Sequence, residues 1–125
     1  MVRSTPAADR GPSHRNEVLL VGRVAAEPAP TQLPSGDEVV SVRLIVERCP
    51  PAPREQPAVR GPGVDTLDCS AWRPAIRRTV LRWGPGDVVE VTGALRRRFR
   101  RTESGPVSRW EVEIGRARRV SRAPW

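Results

Sequence analysis

Apolar residues recur at every second position in several stretches of this chain, the period at which a β-strand sends its side chains to one face. From Asn16 onward, Val18, Leu19, Leu20 and Val21 form a run that is apolar on both faces, followed by Gly22 and Val24. This predicts a central strand bent at the glycine and ended by Pro28 and Pro30. Thr31 to Asp37, with Leu-Pro-Ser-Gly inside, predicts a turn. Glu38 to Arg48 then alternates, with Val40, Val42, Leu44 and Val46 inward and Ser41, Arg43 and Glu47 outward, a second strand antiparallel to the first. Cys49 to Gly63 holds five prolines and two glycines. It predicts a long open loop at 49–63, inside the domain because strands resume directly after it.

Strand three runs from Val64 to Trp72. Leu67, Cys69 and Ala71 share one face while Thr66, Asp68, Ser70 and Trp72 share the other, which sets a tryptophan on the polar side. Pro74 is suited to the first position of a helix, and Ile76, Val80 and Trp83 follow at the spacing of one helical face, until Gly84-Pro85-Gly86 ends it. That stripe predicts Trp83 in the core. Strand four starts at the Gly86-Asp87 turn, with Val89, Val91 and Leu95 directed inward. After a turn at Glu103 to Gly105, strand five carries Trp110, Val112 and Ile114 on one face, a structural position for Trp110, with Glu111 and Glu113 opposite. Three strands, one short helix and two strands is the order of an all-β OB-fold, a five-stranded Greek-key barrel with its helix between strands three and four.

At 125 residues the chain has room for one such domain. Residues 1–15 mix Pro, Ser, Gly, Arg and Ala without periodicity and are expected to be a disordered tail. The barrel is expected over 16–120, leaving 121–125 as a short C-terminal tail. No stretch approaches membrane-spanning length and no long apolar segment opens the chain, so no membrane association and a cytoplasmic location are expected. Cys49 and Cys69 lack metal-site or disulfide-framework spacing, so both are expected to be reduced thiols, with Cys69 filling the core.

Charge changes the picture. The formal net charge is +8 with a pI near 11.5, and all 22 basic residues are arginines. Arginine stacks on bases and grips phosphate bidentately, although an arginine-only set equally follows from GC-rich coding. Strand four places the charge: Arg96, Arg97, Arg98, Arg100 and Arg101 surround Phe99 on an otherwise ordered strand. If alternation holds, Arg96, Arg98 and Arg100 share one face and Arg97, Phe99 and Arg101 the other. A ridge of this density fits a polyanion. Arg43 and Arg48 on strand two and Arg23 on strand one are further candidates, whereas Arg73, Arg77, Arg78 and Arg82 coat the wet face of the helix.

Nothing in the sequence assembles a catalytic or metal site. The one histidine, His14, falls in the expected tail, and strand parity sends Asp65 and Asp68 to opposite faces. No Gly-rich phosphate loop precedes a helix. No cofactor and no enzymatic activity are expected.

Several segments resemble a known family. Asn16-Glu-Val-Leu-Leu-Val-Gly-Arg-Val, then Glu27-Pro, then Pro34-Ser-Gly, then the alternating strand ending Glu47-Arg48, resembles the opening of bacterial single-stranded DNA-binding proteins. Gly86-Asp-Val-Val-Glu-Val-Thr-Gly-Ala-Leu-Arg is similar to that family's fourth strand and Arg109-Trp-Glu-Val-Glu-Ile to its last. The likeness spans roughly 16–120. It implies sequence-tolerant binding of single-stranded DNA in replication, recombination or repair, at the nucleoid, by a homo-oligomer, tetramer or dimer. Trp72 matches the family's aromatic at the end of strand three. Thr66 stands where a second aromatic is common, Asp68 where a basic residue can stand, and Cys49 or Pro50 where another tryptophan can lie. Arg100 takes the place of the strand-four aromatic, with Phe99 beside it. The resemblance therefore implies fewer stacking platforms and a heavier reliance on phosphate contacts.

The sequence ends Val120-Ser-Arg-Ala-Pro-Trp125 without the acidic tip common in the family, so recruitment of partners through such a tip is not expected. Two further readings stand beside this one. One is an OB-fold adaptor that assembles with another single-stranded DNA-binding or replication protein. The other is an RNA-binding OB-fold, because stacking and phosphate contacts do not inspect the 2′-hydroxyl.

Overall fold

The computed structural model describes residues 13–49 and 63–124. Most of the expected N-terminal tail, nearly all of the Pro-rich loop and Trp125 lie outside the described residues. The elements in chain order are β1 (Val18–Val24), β2 (Ala29–Gln32), β3 (Glu38–Glu47), β4 (Val64–Ala71), α1 (Pro74–Leu81), β5 (Val88–Thr102) and β6 (Gly105–Ser121).

The sheet runs β1-β5-β6-β4-β3-β2, and β1 also pairs with β3, so five strands close into a barrel with β2 outside the ring. All pairings are antiparallel except β4 with β6, which lie parallel at Cys69↔Val112 and Ser70↔Glu113. This is the OB-fold arrangement, with the helix between the third and fourth barrel strands. Alternation explains the core: Val40, Val42 and Leu44 of β3, Val89 and Val91 of β5 and Val112 and Ile114 of β6 are all buried. Helix α1 plugs one end through Val80, and Trp83, just past the helix, is only 4% exposed, as its place on the apolar stripe predicts.

Two glycines mark where strands cross closely. A Cβ on Gly22 would lie 2.5 Å from the Ile45 carbonyl oxygen, and one on Gly93 would lie 2.0 Å from that of Glu113, so neither position accepts a side chain without backbone movement. Near Gly93 the β5–β6 register shifts by one residue, which lets the long hairpin bend over the barrel. Asp87, at the root of β5, is 6% exposed and gathers three donors. Its carboxylate accepts from the Gly84 N–H at 2.9 Å, the Ala123 N–H at 2.8 Å and Arg119 Nη1 at 3.1 Å. Those contacts hold its carboxyl below the usual range, the Gly84 bond foremost. The residue thereby ties the end of α1 to the segment after β6.

Three expectations are corrected. Residues 31–32 are not turn but part of β2, which pairs with β3 from Ala29↔Ser41 to Gln32↔Glu38. All four β2 residues are exposed, so the strand has no apolar alternation, and Pro30 is tolerated because this is an edge. The turn itself is confined to 33–37, where Gly36 takes a φ of +94°. Leu95 is not core but 42% exposed, and Trp110 is not a structural position but 57% exposed. Both keep the inward parity of Val91 and Val112, but β5 and β6 run on past the barrel rim, where no other described residue buries that face. Among the described residues, no helix is long and apolar enough to cross a membrane.

Candidate nucleic-acid interface

The overshooting hairpin forms one wall of a groove of about 540 Å³, and the outer faces of β3 and β4 form its floor. The floor carries Val39, Ser41, Ser70 and Trp72, and the hairpin contributes Arg98, Phe99, Arg100 and Arg109. Thr31 of β2 and Leu33 close the opposite side. A smaller depression of about 230 Å³, with Arg43 and Asp68, adjoins it and shares Ser41, Arg109 and Glu111 with it. The outward side of a closed barrel is thus concave here because the β5–β6 ribbon is longer than the strands beside it.

Trp72, the first residue past β4, continues the polar face of that strand as its parity predicts, and it is half-buried and oriented on both sides. Its Nε1–H donates to Ser70 Oγ at 3.0 Å, and the Arg98 guanidinium carbon sits 4.8 Å from the ring centroid. Ser70 Oγ in turn donates to Glu111 Oε2 at 2.5 Å. The same oxygen accepts from Arg98 Nε at 3.1 Å, and Arg98 Nη2 reaches Glu113 Oε1 at 2.9 Å. Arg96 Nε meets that Glu113 oxygen at 3.1 Å. From behind, Arg77 donates to the Trp72 carbonyl and pairs with Glu38 at 3.5 Å, so this helix residue positions the tryptophan backbone besides coating a wet face.

Arg96, Arg98 and Arg100 do share a face, as alternation predicts, but two of the three are already matched by carboxylates. Arg43 is likewise paired with Asp68 at 3.0 Å. Arg48 holds Asp65 through Nε and Nη2 at 3.1 and 2.8 Å, a contact that raises the pKa of the guanidinium. Arg48 and Arg23 stand outside the groove, Arg48 past the end of β3 and Arg23 on the outer face of β1. Arg100 and Arg109 make no ion pair with another described residue, and they are the cations the groove presents openly.

Sequence reading missed Arg109, Glu111 and Glu113 as members of this site. The signal was present in part, since both glutamates were assigned to one face of the last strand. Their match to the arginines needed the strand register. Cys69, below the floor, has its thiol pushed up to about 12 by burial and the nearby Asp68 and Glu111 carboxylates, which favours the protonated thiol at neutral pH. Among the described residues, no three His, Cys, Asp or Glu side chains are grouped to hold a metal ion. The arrangement offers an aromatic ring, an adjoining exposed Phe99, two open guanidiniums and several carboxylate-held ones along a trough.

The model of the single-strand binding protein family matches residues 15–120 of this chain. A comparison with curated protein sequences found no match. Among solved structures, a Plasmodium falciparum SSB in complex with ssDNA superposes with a TM-score of 0.67 at 22% identity, over 89% of this chain and 97% of that one. The superposition bears on the fold.

Proposed function

The chain belongs to the single-strand binding protein family, and from that premise we propose that it binds single-stranded DNA without sequence preference in the groove between the barrel and its β5–β6 hairpin. The carrying observation is Trp72 held edge-on by Ser70 and covered by Arg98 in a trough that also presents Arg100 and Arg109. A base has a π-face whatever its identity, so stacking on Trp72 and its Arg98 lid, with Phe99 at the hairpin edge, is tolerant of sequence. Phosphates meet Arg100 and Arg109 directly, and they reach Arg98, Arg96 and Arg43 by competing with the carboxylates. Binding involves no covalent chemistry. It serves replication, recombination or repair in the cytoplasm, at the nucleoid.

Self-association belongs to the same proposal. Leu19 and Val21 point outward from β1 at 63% and 49% exposure, an apolar patch that a second copy of the chain can cover. Competition titration of the purified protein with single-stranded DNA, duplex DNA and RNA across a salt series tests the binding. Single-stranded DNA should outcompete duplex, with log K falling with log salt by roughly 0.7 for each phosphate neutralised. A flat salt response or a duplex preference refutes the groove reading and favours the adaptor. Equal affinity for RNA widens the ligand class.

A further inference from the structure

The two faces of the β5–β6 hairpin differ in a way that the groove does not use. On the groove face, Arg96 and Arg98 are matched by Glu111 and Glu113. On the other face Arg97 has no carboxylate among the described residues. Its Nε and Nη2 donate to Ser108 Oγ at 3.2 and 3.0 Å, and its guanidinium carbon lies 5.3 Å from the Phe99 centroid and 5.5 Å from that of Trp110. Phe99 is 72% exposed and Trp110 57%. Arg101, on the same face by parity, is exposed and unpaired among the described residues.

Trp110 stands directly across the ladder from Arg97, and Phe99 across from Ser108, so the two rings are diagonal neighbours bridged by one fixed cation. Two open rings around an uncompensated guanidinium fit a ligand that supplies π-faces and negative charge together. A protein surface that covered Arg97 would have to bring its own carboxylate at this point, whereas a polynucleotide carries an anion at every unit. The face is also continuous with the groove, because Phe99 and Ser108 line the rim of both.

We infer that this second face, Arg97, Phe99 and Trp110, binds a further segment of the same single strand, which leaves the groove at Phe99 and passes around the hairpin edge. The inference rests on the groove reading and extends the length of strand held by each barrel. Bases stack on Trp110 and on Phe99, while Arg97, aimed by Ser108, and Arg101 meet the phosphates between them.

The test compares the full chain with the double variant Arg97→Ala/Trp110→Ala, neither residue lining the groove, on oligothymidylates of graded length across and beyond the roughly 4–16 nucleotides that one OB-fold covers. The shortest strands that bind should bind both proteins equally. Longer strands should bind the variant about five- to 150-fold more weakly, the range set by one lost stack. Trp110→Phe, which keeps a ring, should restore most of the loss, and ultraviolet cross-linking of a long strand to the parent should map to the peptide containing Trp110. Equal binding at every length overturns the inference and leaves the groove reading intact, whereas a parent that binds no single strand overturns both. A variant that binds long strands normally but no longer self-associates assigns the face to a second copy of the chain and also overturns it.

Discussion

Glu111→Gln should strengthen binding of single-stranded DNA. Both hydrogen bonds that orient the groove through this residue, from Ser70 Oγ and from Arg98 Nε, arrive at one oxygen, Oε2. The carbonyl oxygen of glutamine can take both, so the change removes a charge and leaves the Ser70, Arg98 and Trp72 arrangement in place. Arg98 also keeps Glu113 at 2.9 Å. A phosphate drawn to Arg98 comes to roughly 5 Å from Glu111, where repulsion amounts to about 0.8 kcal/mol at the dielectric of water and about 3.3 kcal/mol at an effective value of 20. The Arg98 side chain is 38% exposed and that of Glu111 14%, so the site lies between those limits. About 1–2 kcal/mol follows, an affinity gain of about five- to thirtyfold. Stability should fall by about 1 kcal/mol or less, since a pair with one partner this exposed is weak. Fluorescence anisotropy of a labelled oligothymidylate at several salt concentrations reads both expected effects. The second is a salt slope steeper by about 0.7, for the phosphate that Arg98 now neutralises. Unchanged or weaker binding by a variant with the parent's melting temperature would refute the idea that these carboxylates restrain the groove.

Trp72→Ala should weaken DNA binding by about 1–3 kcal/mol with little change in melting temperature, while Trp83→Ala should cost about 3–5 kcal/mol of stability because its ring is buried against α1 and the barrel. Titration and thermal melts of the pair separate the two, and an exchange of their effects would invert the assignment of faces. Asp87, whose carboxyl is lowered in the folded state, stabilises the fold fully above the unfolded aspartate value near 3.9, and that contribution fades as pH falls through its lower folded value. Thermal melts from neutral to acid pH should therefore show Asp87→Asn less stable than the parent at pH 7, with a shrinking difference in strong acid, and a constant difference would exclude the linkage. Leu19→Glu/Val21→Glu should shift light-scattering mass to a smaller species, because charge on the outer face of β1 opposes a second copy there. An unchanged mass would remove that face from the interface.

The alternation of apolar residues determined a great deal without help from tertiary structure. A two-residue period with one face apolar marks a strand laid against a core, so Val40, Val42, Leu44, Val89, Val91, Val112 and Ile114 could be assigned inward before any strand was paired. The Pro74 start and the stripe through Val80 to Trp83 likewise placed the helix and its buried ring. The same parity put Trp72 on the polar side of β4 and grouped Arg96, Arg98 and Arg100. Strand β2 escaped because an exposed edge of four residues containing Pro30 carries no periodic signal. Pairing decided the rest. Parity states which face a side chain takes but not where the covering layer ends, so Leu95 and Trp110 have core parity and yet lie open beyond the barrel rim. Nor does it state which strand lies alongside, and the antiparallel β5–β6 register alone brings Glu111 and Glu113 against Arg96 and Arg98. Charge is summed along a sequence but neutralised across a sheet, so the arginine ridge that looked uniform in the chain divides: Arg96 and Arg98 are held by carboxylates, while Arg97, Arg100 and Arg101 meet none among the described residues.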